Sequence, residues 1–187
     1  MNSSTSAPSR TEPRTDSREL FGQLMRVGDI GQEKVISHFE TQGHTLLGLN
    51  HDKRYDVQMR GPGGRDVLIE VKTDTTASPN LAVETWSRTS PSGIYGTQAD
   101  WYCVYFTQSG ELWLFPVPAL RAELSDRMGL GLKPVRAIQG TNTWVKLVPK
   151  SLARTWGFTQ VMQLEPEPRA TGISVLNPPD GPGRISA

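Results

Sequence analysis

Cysteine is all but missing from this chain: Cys103 stands alone among 187 residues. One thiol excludes an intrachain disulfide framework and suits a reducing compartment, so a cytoplasmic protein is expected. Cys103 lies in an apolar run, which makes it an inert core thiol and not a nucleophile. Histidine is scarce as well. The three present, His38, His44 and His51, follow no metal-ligand spacing such as H-E-x-x-H, and without a cysteine cluster there is no zinc motif. Long apolar runs are lacking, which excludes a membrane-spanning helix. Residues 1–17 lack the apolar segment of a secretory leader. Charge of one sign is lacking too. The formal net charge is +1, so no partner follows from the balance alone. Gly61-Pro62-Gly63-Gly64 is not followed by Lys-Ser/Thr and is no P-loop, so no nucleotide cofactor is expected; nor is there a G-x-S-x-G elbow.

What remains is enough for one domain with a real core. Both ends are polar and rich in Pro, Gly or Ser. Disordered tails are therefore expected over residues 1–18 and 166–187, around a folded body from Glu19 to Glu165. Apolar spacing predicts a short helix over 19–27. A clearer helix follows over Asp29–Gln42, capped by Asp29 and stopped by Gly43. On it, Ile30, Val35, Ile36 and Phe39 form a broad apolar arc, and Glu33 falls at the inner edge of that arc. An acid there is either a boundary residue or a ligand aimed at the sheet. Strands are predicted over 45–48, 54–60, 65–73, 81–86, 111–117, 144–148 and 158–164, with helices over 118–128 and 151–156. Trp101–Phe106 is nearly all apolar and reads as a central strand buried on both faces. Between Leu120 and Gln160, Arg121, Arg127, Lys133, Arg136, Lys146, Lys150 and Arg154 face only Glu123 and Asp126, with Trp144 and Trp156 interleaved. Such a patch suits a phosphate backbone, but a solvated surface is the simpler reading.

The chemistry concentrates between Arg54 and Thr73, which read as two strands joined by the Gly61–Gly64 turn. Side chains alternate between the faces of a strand. Val67, Ile69 and Val71 then share the core face, and Leu68, Glu70 and Lys72 the other. Antiparallel pairing brings Asp56 close to Glu70, with Lys72 one pleat further on. Two acids and a lysine gathered on one sheet face are costly unless something binds there. Magnesium suits such hard oxygen ligands, taking one or two carboxylates and keeping waters and substrate phosphates. Glu84, on the predicted strand 81–86, reads more simply as an edge charge.

Asp56 followed by Glu70-Val71-Lys72 resembles the PD-(D/E)xK nuclease superfamily, with Tyr55 where that pattern often has Pro. Gly31-Gln32-Glu33 resembles the helical glutamate that many members carry ahead of the two acidic strands. Asn80-Leu-Ala-Val-Glu84 and Ser92-Gly-Ile, then Thr97-Gln-Ala-Asp100-Trp-Tyr, are similar to segments of small phage-type and resolvase-like members, in which they complete the sheet and flank the cleft. The resemblance implies an α/β/α restriction-endonuclease-like core, a central mixed β-sheet flanked by helices. It implies a Mg2+-dependent endonuclease, with Mn2+ as substitute. Asp56, Glu70 and the Val71 carbonyl would hold the ion, Glu33 a second one, and Lys72 would position water or stabilise charge. It further implies a homodimer acting on branched DNA in the cytoplasm, or in a host's cytoplasm for a phage protein. Lys53, Arg54, Arg60, Arg65 and Arg88 are the candidate DNA contacts. Two alternatives stay open: a restriction or repair endonuclease on duplex DNA, and a non-catalytic nuclease-like DNA-binding module.

Overall fold

The computed structural model describes residues 17–50, 54–125, 135–136 and 142–164, with side chains from Val27 onward except at Arg136. The expected tails, apart from Ser17 and Arg18, lie outside the described residues. So do Lys53, Arg127 and Lys133.

The two predicted N-terminal helices are one. α1 runs unbroken over Ser17–Thr41. Asp29 therefore caps nothing and sits mid-helix. The polar Gly28-Asp29 pair does not break the helix, because an interior glycine costs only about 1 kcal/mol and faces no clash here. The predicted stop holds: the N–H groups of Gln42 and Gly43 donate to the Phe39 and Glu40 carbonyls, and the His44 N–H donates to Phe39 again.

The acidic hairpin forms as its alternation dictates. β2 (Val57–Arg60) pairs antiparallel with β3 (Asp66–Asp74), with Val57 opposite Ile69 and Arg60 opposite Asp66. β1 (Thr45–Leu49) pairs with the outer side of β2. β6 (Trp101–Phe106) lies parallel to β3 and antiparallel to β7 (Glu111–Pro116), and β10 (Gln160–Gln163) closes the far edge. The result is a six-stranded mixed sheet in the order β1-β2-β3-β6-β7-β10. β6 is buried on both faces, as its apolar run requires.

Each face of this sheet carries its own core. On one, Val35 and Phe39 of α1 pack on Val57, Met59, Ile69, Val71, Cys103 and Leu114. On the other lie Tyr102, Val104, Phe106, Trp113 and Phe115. That face is covered by α2 (Val117–Ser125) through Leu120 and Leu124, by Ala153 of the short α3 (Lys150–Ala153), and by a second sheet through Leu81, Val83 and Val148. The second sheet has the order β5-β4-β9-β8, formed by Ser90–Pro91, Asn80–Ser87, Thr143–Pro149 and Val135–Arg136. The central mixed sheet flanked by helices is thus as expected. The Asn80–Glu84 segment, however, does not complete that sheet. It starts the second one, because β4 offers a single apolar face and that face lies flat on the first sheet.

Among the described residues, the basic side chains of the later chain are spent on this architecture. Arg121 donates to the Ile94 and Thr97 carbonyls, and Lys146 to the Leu124 carbonyl. Lys150 stands 3.6 Å over the Phe106 ring. Arg154 pairs with Glu111 and lies 4.7 Å over Trp113. Trp156 is core. The simpler reading of that stretch, a surface rather than a phosphate track, fits these contacts.

α1 docks through a glycine. A Cβ built on Gly31 would lie 2.0 Å from Thr73 Oγ1 and 3.5 Å from Val71 Cγ1. Gly31→Ala should therefore destabilise the fold by about 1–3 kcal/mol despite alanine's better helix propensity. Chemical denaturation reads the loss, and Thr73→Ala in the same chain should restore most of it. Unchanged stability of the single variant would show that α1 can stand further off the sheet.

Candidate active site

β2 and β3 part company just before Val57, and the site sits at that fork. The last ladder bond runs from the Asp56 N–H to the Ile69 carbonyl at 2.9 Å. The next donor along β3, the Val71 N–H, has no strand to meet. The Asp56 carboxylate accepts it instead, with Oδ2 at 2.7 Å. The fork is held open from outside: the Asn50 N–H donates to the Asp56 carbonyl, while the Gln98 N–H and Thr97 hydroxyl donate to the Arg54 carbonyl.

Glu70 and Lys72 follow on β3, on the face away from α1, in phase with Leu68. Glu70 is only 7 % exposed. Its Oε1 accepts from Lys72 Nζ at 2.7 Å. Tyr102 of β6 stands opposite Glu70 in the parallel register and is fully buried, with its hydroxyl by the Glu84 backbone but without a hydrogen bond of normal geometry among the described residues.

The electrostatics divide the roles. Burial pushes the Asp56 carboxyl above the usual aspartate range, and the Glu70 charge pushes it further; the Val71 N–H and Lys72 offset this in part. Burial works against the Lys72 ammonium, but Glu70 outweighs it by charge and hydrogen bond and holds the lysine protonated well above its ordinary value. Burial likewise keeps the Tyr102 phenol neutral. The site is an Asp56 carboxyl strained by burial and by the Glu70 charge, beside an ammonium fixed on Glu70.

Sequence reasoning placed Asp56, Glu70, Val71 and Lys72 together, and the structure brings them together. It does not bring Glu33. Glu33 is exposed on α1, which covers the opposite face of the sheet. The physical reason is the helix's contact line, which is Gly31, Val35 and Phe39 and not the centre of the Ile30–Ile36 arc. At 100° per residue Glu33 points away from that line.

Glu84, which the sequence reads more simply as an edge charge, stands by the site instead. It lies near enough that its charge raises Asp56 and supports the Lys72 ammonium. Ser92 Oγ donates to its Oε1 at 2.6 Å. Gly93 makes this approach possible, since a Cβ there would meet the Glu84 carbonyl at 2.4 Å, and φ is +49°. The signal was the Ser92-Gly93-Ile94 tripeptide, whose isoleucine plugs the core while its serine holds the acid.

The candidate DNA contacts are scattered. Arg60 pairs with Asp66, and Arg65 reaches Asp100 at 3.2 Å. Both stand at the turn end of the hairpin; Arg65 is about 16 Å of strand from Glu70. Arg54 is exposed near the fork. Arg88 is exposed at a turn with φ 55°.

Two carboxylates from adjacent strands, each with one oxygen engaged and one to spare, suit magnesium's preference for few protein ligands and many waters. Among the described residues no three acidic, histidine or cysteine side chains converge into a ready cage. The set fits an ion that keeps waters or substrate oxygens, not an all-protein site.

Among the described residues no helix is long and apolar enough to cross a membrane. No protein-family model and no curated protein matches the chain. Among solved structures, a bacterial homing endonuclease is similar at 23% identity over 55% of this chain and 70% of that one, with a TM-score of 0.40. A likeness at that level carries no argument about fold detail or activity.

Proposed function

We propose that this chain is a metal-dependent DNA endonuclease. The observation that carries the reading is the fork itself: Asp56 and Glu70 are crowded together where β2 and β3 separate, beside a lysine kept charged. A crowded acid pair is a standing cost that a divalent cation would offset. Asp56, Glu70 and the Val71 carbonyl are the oxygens that would hold it. Magnesium or manganese, when bound, would polarise the scissile phosphate and lower the pKa of a bound water.

The chain's own residues set the rest. The Val71 N–H fixes the Asp56 carboxylate in place before any ligand arrives. Lys72, hydrogen-bonded to Glu70, would orient the attacking water or phosphate oxygen and stabilise charge as it develops. Glu84 tunes both neighbours through its charge.

Branched DNA is the preferred substrate in this reading, and a homodimer the working form, because two fork sites are needed to nick two strands. An exposed edge supports pairing: Leu46, Leu47 and Leu49 lie on β1 at the sheet's rim, 38, 45 and 48 % exposed. Bare apolar edges invite another strand.

A labelled four-way junction and a matched linear duplex, each with magnesium, manganese or EDTA, test the proposal. Symmetric metal-dependent nicking of the junction alone is the expected result. Cutting of both substrates would keep the site and remove the branch preference. No cutting with either metal, in a protein that still binds DNA, would overturn the enzyme.

A further inference from the structure

The second sheet carries a cleft that the cleavage chemistry does not use. Its volume is about 530 Å³, and it is lined by Thr85, Trp86, Tyr95, Trp144 and Lys146. The walls are mostly aromatic. Trp86 and Trp144 are direct cross-strand partners, Trp86 on β4 and Trp144 on β9. The ladder shifts register between Glu84 and Trp86, which turns the tryptophan out of the regular alternation. The Thr85 hydroxyl donates to the Trp144 carbonyl and closes the floor. Trp86 is 40 % exposed, an expensive place for the largest apolar side chain unless a flat ligand covers it.

Position decides which ligand. Tyr95 of the cleft wall ends the Gly93–Tyr95 turn that packs on Glu84, and the chain runs from it straight into Thr97 and Gln98, which hold the Arg54 carbonyl at the fork. The cleft is therefore joined to the proposed cutting site by one short segment. It offers π-faces of the kind on which the bases of single strands stack, while Lys146 lines it with its ammonium held on the Leu124 carbonyl. Base-paired DNA has its π-faces hidden, so only an unpaired base can enter.

We infer that this cleft binds an unstacked nucleobase next to the cut phosphate, with Trp86 as the platform. The inference rests on the endonuclease reading and deepens it: the substrate is DNA with unpaired nucleotides at or beside the site, such as a branch point or bubble. A fully paired duplex leaves the cleft empty.

The test uses binding in EDTA, so it does not depend on cleavage. The full-length protein is titrated into a short oligothymidylate and into a matched paired duplex, each carrying 2-aminopurine. Glu70→Gln, Trp86→Ala and Trp86→Phe are compared with wild type. Wild type and Glu70→Gln should bind the single strand and stack on the probe base. Trp86→Ala should weaken single-strand binding by about tenfold or more and duplex binding little. Trp86→Phe, which keeps a ring, should retain most of it and guards against a folding defect in the alanine variant. Unchanged single-strand affinity in Trp86→Ala would overturn the inference. So would self-association of wild type that Trp86→Ala abolishes, since the cleft would then belong to an interface between copies. Absence of DNA binding altogether would overturn both this inference and the endonuclease. Trp86-dependent binding without cleavage under any metal would overturn the endonuclease alone.

Discussion

Glu70→Gln should reduce metal-dependent DNA cleavage by about a thousandfold or more, the scale on which single electrostatic groups act in a dry site. The substitution keeps the side chain's size and leaves an oxygen for Lys72. What it removes is charge, and it does so twice. One hard ligand for the cation is lost, and the counter-charge that holds Lys72 in place at 2.7 Å is lost with it. Single-turnover cleavage of a labelled substrate, with melting curves alongside, separates this from unfolding. Glu33→Ala is the contrasting control. Because Glu33 sits exposed on α1, behind the sheet, its loss should leave the rate unchanged. Full activity in Glu70→Gln, or lost activity in a well-folded Glu33→Ala, would reverse the two assignments.

Magnesium should stabilise the fold by a large margin, and Asp56→Asn should remove that gain. At a hundredfold excess over Kd, a ligand bound only by the native state adds about 2.7 kcal/mol. For a chain of this size that is about 5–10 °C in Tm. Asp56→Asn keeps an oxygen for the Val71 N–H but deletes the repelled charge. In EDTA the variant should therefore melt higher than wild type, and magnesium should then shift it little. The pH dependence has a defined sign. A carboxyl whose folded pKa lies above its usual 3.8 binds its proton more tightly in the folded state. Its contribution to stability is present at acid pH and is lost as pH rises through the raised value. Metal-free wild type should show this loss, and Asp56→Asn should show less of it. A variant that melts below wild type in EDTA would mean that Asp56 is a structural support and not a strained ligand.

Much of the hairpin was legible because it is local. Period-two alternation fixed which side chains share a face, and the turn fixed the register that sets Val57 against Ile69. The fork could not be read so directly, since it depends on where pairing stops. The α1 error has a simple source. Hydrophobic arcs on a helical wheel weigh leucines and isoleucines, whereas the helix here approaches closest at a residue with no side chain at all. Gly31, not Ile30, marks the contact line, and Glu33 is carried outward as a result. The second sheet was hidden for another reason. β4 and β9 each alternate like any strand, but Asn80 pairs with Pro149 across a long stretch of chain. Nothing in either segment names its partner. Glu84 and Trp86 inherit their surroundings from that pairing, so a reading made strand by strand left Glu84 as an edge charge and did not show the aromatic cleft.

Cys103 sits at the geometric middle of all this, on the strand sandwiched by both cores, fully buried and with its thiol pushed far from ionisation by burial. A thiol must ionise and meet a reagent before it can be modified. Fraying at β1, β10 or the second sheet leaves β6 shielded; its sulfur is freed when α1 leaves the sheet or the sheet itself opens. The chain thus carries one internal clock, and the pace at which a thiol reagent consumes Cys103 measures how often α1 lifts away, alone or with the whole domain.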